Sequence, residues 1–240
     1  MDLHLSQLTE HIWLLPHNPN VTAVQSSIGV VVTHNESVLI DAGNGPRLAQ
    51  MLKTELIRCN LLPVTRIIYT HHHWDHTYGA CEFDVPVTAH ILCREILEKE
   101  AKKPWGPEYL KEETRRNPRL KKSYTARSKS IKDWGTFRIV LPEYIFDKTE
   151  SIELDGLTIQ LEHVGGDHAE DSIVVKIPDD RVMFLGDCFY PPPLHLRKPN
   201  SAPSFDMLRR LQNEKYSLYV GSHDIPLTRG QLLKYLQENS

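Results

Sequence analysis

Four histidines and an aspartate fall within six residues of this chain, His71-His72-His73-Trp74-Asp75-His76. They follow directly on Arg66-Ile67-Ile68-Tyr69, which reads as a short buried strand. Strand ends are where α/β folds place their chemistry. Neutral imidazole and carboxylate are both good ligands for zinc and neighbouring divalent metals. His71 and His73 are two residues apart, so an extended backbone points them the same way. Asp75 and His76 come after the turn and reach a second point nearby. One loop can therefore serve two metals. A purification tag would sit at a terminus and lack the aspartate, and a solvated histidine run would not follow an apolar strand.

The stretch resembles the H-x-H-x-D-H signature of the metallo-β-lactamase superfamily. The resemblance requires a lone histidine, a lone aspartate and a second lone histidine, each at a later strand end. His168 follows a glycine turn in Val164-Gly165-Gly166-Asp167-His168, although Asp167 interrupts the usual Gly-His pair. His163, on the preceding strand, is the weaker alternative. Asp187 stands in a Leu-Gly-Asp frame beside Cys188. Adjacent strand residues point to opposite faces, so only one of these two is expected to be a ligand, and the frame favours Asp187. His223 ends Leu218-Tyr219-Val220-Gly221-Ser222-His223. Asp41, at the end of Ser37-Val38-Leu39-Ile40, matches an acidic position near the metals. Its implied role is to accept the spare N–H of a ligand histidine.

The resemblance implies a four-layer αβ/βα sandwich, two mixed sheets flanked by helices. It implies one metal on His71, His73 and His168, a second on Asp75, His76 and His223, and Asp187 joining them. Three protein ligands leave an open position, as catalytic sites do. The expected cofactors are two divalent ions, zinc first, with manganese or iron as alternatives. Di-iron members that run oxygen chemistry tend to carry glutamate where His73 stands. The expected activity is hydrolysis of an ester, lactone, thioester or amide through a metal-bound hydroxide, with Asp75 orienting the nucleophile and carrying a proton. A di-iron redox protein and a metal-stabilised binding protein without turnover are the alternatives. The glutathione thioesterases extend well past the last histidine, whereas Asp224–Ser240 follows here. Zinc β-lactamases place a lysine shortly after the bridging position; Phe189-Tyr190-Pro191 stands there, which speaks against antibiotic hydrolysis.

The remaining chain is read as one metallo-β-lactamase-like domain over 1–240, with a basic helical cap at about 101–133. Lysine and arginine outnumber acids in that stretch, which includes Arg115, Arg116, Arg119, Lys121, Lys122 and Arg127. A basic cap favours a small anionic substrate. Interleaved aromatics are few, so nucleic acid is not an expected partner. Net charge is -3, and the hydrophobic and charged fractions of 40% and 25% are those of ordinary globular proteins. Cys59, Cys81, Cys93 and Cys188 show no CxxC spacing. The N-terminal Met1-Asp2-Leu3-His4-Leu5-Ser6 lacks a basic and then apolar leader pattern, and no apolar run has membrane-spanning length, so a cytoplasmic protein without membrane partners is expected.

Local patterns set further expectations. Pro46 opens a helix with Leu48, Met51, Leu52, Leu56 and Cys59 on one face and Glu55 interrupting it. Asp155-Gly156 turns a hairpin between Ile152–Leu154 and Leu157–Leu161. Val85–Ala89 reads as a strand that Pro86 places at a sheet edge. Phe137–Leu141 reads as a strand, and His90 as a structural histidine.

Overall fold

The computed structural model describes residues 4–239. The reading of the chain's first three residues lies outside them. The first sheet has seven strands in chain order: β1 (Ser6–Gln7), β2 (Ile12–Leu15), β3 (Ile28–Val32), β4 (Ser37–Ile40), β5 (Val64–Ile68), β6 (Val87–His90) and β7 (Tyr144–Phe146). The pairs from β1 to β4 are antiparallel and those from β4 to β7 parallel. The second sheet comprises β8 (Thr149–Leu154), β9 (Leu157–His163), β10 (Ile173–Ile177), β11 (Val182–Gly186), β12 (Leu218–Gly221) and β13 (Leu227–Thr228), in the order 13-12-11-10-9-8. Only the β11–β12 pair in it is parallel.

The helices are α1 (Pro46–Arg58), the single turn α2 (Trp74–Thr77), α3 (Ile91–Ala101), α4 (Pro107–Arg116), α5 (Lys121–Ser130), α6 (Phe205–Gln212) and α7 (Arg229–Glu238). Ile12, Val31, Ile40 and Ile68 of the first sheet meet Ile159, Ile173, Val175 and Phe184 of the second in one buried layer. Leu48, Leu52 and Leu56 of α1, with Cys93 and Leu97 of α3, cover the other face of the first sheet. Leu208 and Leu211 of α6, with Leu232 and Leu236 of α7, cover that of the second. The result is the mixed-sheet αβ/βα sandwich. Two-sided burial explains why β10 and β11 read as nearly continuous apolar runs. Phe184 lies so close to Gly29 that a Cβ there would stand 2.5 Å from its ring. Gly29→Ala is therefore an overpacking change, costing about 1–3 kcal/mol.

The Asp155-Gly156 hairpin forms with Leu154 paired to Leu157 and both turn residues at positive φ, 49° and 85°, as a type I′ turn requires. Three local expectations fail. Pro86 does not mark an edge, because β6 lies between β5 and β7. Its carbonyl accepts from Ile67 N–H at 3.1 Å, and the ladder starts one residue later, so its missing N–H costs nothing. Phe137–Leu141 forms no strand. β7 takes the ladder beside β6, and Ile139, Val140 and Leu141 pack against the first core as irregular chain. Met51 turns outward at 38% exposure. Glu55, expected to break the apolar face, is buried; it accepts from Leu5 N–H and from Arg58. His90 caps α3 by accepting from Leu92 N–H and reaches the Asp147 carbonyl at 2.6 Å. Among the described residues no helix is long and apolar enough to cross a membrane.

Candidate metal centre

Parallel pairing brings the C-terminal ends of β4 and β5 to one edge of the first sheet. In the second, β9 and β11 are each antiparallel to β10, and β12 is parallel to β11, so their C-terminal ends share one edge. Cross-sheet bonds close these edges together: Ile173 N–H donates to the Thr70 carbonyl at 2.9 Å, Ser27 N–H to Ser222 at 2.8 Å, and the Ser26 hydroxyl to the Asp75 carbonyl at 2.7 Å. Five strand ends thus meet.

There the seven side chains singled out in the sequence converge. His71, His73 and His168 form one group and Asp75, His76 and His223 another; within each, the ligand atoms lie within 4.8 Å of one another. His71 Nε2 is 2.9 Å from His73 Nδ1, which is 3.0 Å from His168 Nε2. Asp75 Oδ2 is 3.2 Å from His223 Nε2 and 3.7 Å from His76 Nε2. Asp187 Oδ2 stands between the groups, 3.2 Å from His168 Nε2, 3.3 Å from His223 Nε2 and 3.6 Å from His76 Nε2. His163 is elsewhere, stacked on His90 with ring centroids 3.7 Å apart.

Local backbone features aim these groups. The β11–β12 register shifts between Phe184 and Gly186, and Gly186 has φ 54°. Such a bulge re-aims the following side chain. Asp187 consequently faces the cluster, while Cys188 packs with Leu208 and Leu211 on the outer side. Burial pushes the Cys188 thiol up to about 12, with the Asp187 charge adding to it, so this thiol is no ready ligand. Asp167 is exposed, so its interruption of the Gly-His pair leaves His168 in place.

Supporting hydrogen bonds leave the inward nitrogens free. Asp41 Oδ2 is 2.7 Å from His76 Nδ1, and the same carboxylate accepts from Thr70 N–H and the Thr70 hydroxyl. Asp41 sits at φ 64°, a left-handed conformation costing about 1–2 kcal/mol that these bonds hold in place. His168 Nδ1 donates to the Pro191 carbonyl at 2.9 Å. His72, between two of the site histidines, pairs with buried Asp171 at 2.7 Å.

Electrostatics and unmet bonding both suit a cation. Buried His76 Nε2 and Asp187 Oδ1 have no hydrogen-bond partner. Burial, reinforced by neighbouring imidazoles, keeps His71 and His73 well below the ordinary histidine range. Burial opposes the charged form of Asp187, yet facing His223, His76 and His168 hold its carboxyl well below the usual range. Burial likewise works against protonating His223, but Asp187 and Asp75 carry it up to about 10. His76 is also raised, against burial, by Asp41, Asp187 and Asp75. Protons on these two rings supply the positive charge that the carboxylates demand. A divalent cation meets the same demand, displacing the protons as it binds.

The cluster opens into a cavity of about 620 Å³, a size usual for small-molecule sites. Its wall includes residues the sequence reading did not single out: Val21, Val24, Tyr190, Leu194, His195 and Arg197. Tyr190 donates to Asp224 Oδ2 at 2.6 Å, and its ring centroid is 6.0 Å from that of His223. These residues lie in loops with no periodicity to reveal them; Pro191-Pro192-Pro193 is the only local sign of a constrained turn. Of the basic stretch, Arg119, Lys122 and Arg127 line the cavity, whereas Arg115 and Arg116 pair with Glu112 and Glu113 away from it.

Fold and site together define an αβ/βα sandwich with residues at one edge that could hold metal. The family model for the metallo-beta-lactamase superfamily matches residues 21–223, and the chain belongs to that superfamily. A metallo-beta-lactamase from Pontibacter korlensis superposes with TM-score 0.64 at 19% identity, covering 99% of this chain and 100% of that one. A metallo beta lactamase from Hirschia baltica gives 0.65 at 17% identity, covering 99% and 97%. At such identities the likeness carries the fold alone. In sequence, the chain is similar to metallo-beta-lactamase type 2 of Bacteroides fragilis, 39% identical over 46 residues; that segment is 19% of this chain and spans only 18% of that protein's length.

Proposed function

We propose that the protein is a dinuclear metal-dependent hydrolase, with zinc as its metal, acting on an ester, lactone, thioester or amide. The observation that carries this reading is Asp187 Oδ2 within 3.6 Å of imidazoles from both ligand groups. In this reading His71, His73 and His168 would hold one ion and Asp75, His76 and His223 the other, with Asp187 between the two groups. The set holds five imidazoles and two carboxylates and lacks thiolate; zinc accepts it well, and manganese and iron are the competitors. Divalent ions bound there supply Lewis acidity and water with a pKa lowered to about 7.

The chain's own residues supply the rest. Asp41, Pro191 and Thr70 fix the outward nitrogens of His76, His168 and His71, so the inward nitrogens are aimed at the ions, which displace any proton there as they bind. Asp75 lines the cavity and is the carboxylate placed to orient a nucleophile and carry a proton to a leaving group. Val21, Val24, Trp74 and Leu194 exclude water from an apolar body. The superfamily consists mostly of hydrolases but has non-hydrolase members. Elemental analysis of protein purified without added metal, paired with a screen of esters, lactones, thioesters and amides, tests the reading. Two zinc ions per chain with turnover is the expected result. Iron with redox activity and no hydrolysis would return it to a di-iron redox protein. Bound metal with no turnover would make it a metal-stabilised binding protein.

A further inference from the structure

Arg119, Lys122, Arg127 and Arg197 line the same cavity as the histidine cluster, and none of them is ion-paired among the described residues. Arg119 and Arg197 are tied into the wall instead, through Arg119 Nη2 on the Arg197 carbonyl at 2.7 Å and Arg197 Nε on the Pro192 carbonyl at 3.1 Å. The cavity's acids are Asp75, Asp187 and Asp224; the first two belong to the cluster, and Asp224 accepts from Tyr190.

Arg127 is the most confined of these cations. Its guanidinium carbon lies 4.8 Å from the ring centroid of Trp105, 5.0 Å from Tyr124, 5.3 Å from Trp74 and 5.6 Å from Tyr78. Its buried Nε has no hydrogen-bond partner, and its one side-chain hydrogen bond is a long 3.5 Å contact from Nη1 to the Tyr78 hydroxyl. Aromatic faces hold a guanidinium in one plane, but they satisfy none of its in-plane donors. A half-buried arginine fixed by rings and left without an oxyanion is arranged to receive one, because a guanidinium fork binds carboxylate or phosphate through paired N–H bonds.

We propose that Arg127, supported by Arg119 and Lys122, anchors an oxyanion carried by the substrate away from its scissile bond, so that the preferred substrate is an anionic ester, thioester or amide with an apolar body. The word substrate rests on the hydrolase reading; the anion site itself does not. Its test uses the protein as purified. Trp74 and Trp105 flank Arg127, so occupancy is expected to change tryptophan fluorescence saturably when glutarate or inorganic phosphate is added. Arg127→Met is expected to abolish that response, and Arg115→Glu/Arg116→Glu to leave it intact. A glutarate response alone assigns a carboxylate, and a phosphate response alone a phosphoryl group.

Turnover supplies a second arm. With mono-4-nitrophenyl glutarate, Arg127→Met is expected to raise KM about tenfold or more with kcat little changed, while KM for neutral 4-nitrophenyl butyrate stays within about twofold, the pattern of lost uniform binding. Should Arg127→Met fail to fold, Arg119→Met/Lys122→Met is expected to show the same discrimination to a smaller degree. Equal effects on the two esters, or no saturable fluorescence response to either anion, would overturn the proposal. If neither ester is hydrolysed, the same pair of charged and neutral substrates is drawn from the lactones, thioesters and amides of the screen; no turnover on any of them overturns the hydrolase reading, and the fluorescence titration still decides the anion site.

Discussion

The two walls of the cavity are built differently. The histidine wall grows from five strand ends; each contributes a buried or half-buried group, and Asp41, Asp171 and Pro191 hold three of its histidines from behind. The opposite wall includes Arg119, Lys122, Ser123 and Arg127, from α5 and the turn before it; α4 and α5 rest on a small cluster of Leu110, Leu120 and Tyr124, joined by Trp105 and Trp134. The charges of α4, off the cavity, pair within a helix turn at the surface, as in Arg115 with Glu112. Such exposed pairs add little stability. The first wall is held by both sheets, whereas the second rests on that small cluster and on another in which Ala126 and Ile131 pack with Trp74 and Tyr78. The candidate metal ligands stand on the first wall, and the inward-facing cations of the basic stretch on the second.

The comparison breaks most visibly at Asp187. Asp187→Ala is expected to lower hydrolysis by a factor on the order of 10²–10³ or more and to release at least one metal, whereas Cys188→Ser retains both. Elemental analysis beside a rate assay checks this, and the reverse pattern would make the thiolate the ligand. Asp41→Asn comes next. Asparagine tolerates the left-handed backbone at this position but offers a weaker acceptor to His76 Nδ1. The expected loss is about 10–100-fold in metal affinity or activity, measured by chelator competition. An unchanged affinity would remove Asp41 from the support of the centre.

Smaller effects separate the cap from the frame. Leu120→Ala removes buried apolar volume from the cap cluster, with an expected cost near the low end of the 2–5 kcal/mol typical of such truncations. Hydrogen exchange should show protection lost across α4 and α5, with metal content unchanged. Loss of metal would show that the two walls are one cooperative unit. The smallest effect belongs to Arg115→Ala with Arg116→Ala. Both side chains are exposed and lie off the cavity, so neither Tm nor KM for an anionic ester should move measurably. A raised KM would place them on the substrate's path.

The strand leading into His71, the Asp155-Gly156 hairpin and the convergence of the seven residues were legible because each is signalled by local spacing or by a family motif. Asp41 was legible as a support for the same reason. The cap was legible only as an excess of charge. Which of its arginines faces inward depends on the phase of α4 and α5 over a cluster assembled from Trp105, Leu120, Tyr124 and Trp134, residues separated by as much as both helices.

By itself the sequence marked His71, His73, Asp75 and His76 as one candidate donor set, because His-x-His spacing and strand-end placement are properties of a short stretch of backbone; His168, Asp187 and His223 were marked only through the family resemblance. The layer order followed only from the family resemblance; the apolar runs of β10 and β11 are what two-sided burial requires once that order is in place. Tertiary structure alone decided that Phe137–Leu141 is not a strand and that Pro86 is interior, because ladder partners are assigned by competition between distant segments. It also decided that Asp187 rather than Cys188 turns inward, through a bulge set by pairing with Val220 and Gly221. And it alone enclosed Arg127 in four rings drawn from α2, α5 and the turns that follow α2 and α3, since no local pattern records which surfaces long-range packing will bring together.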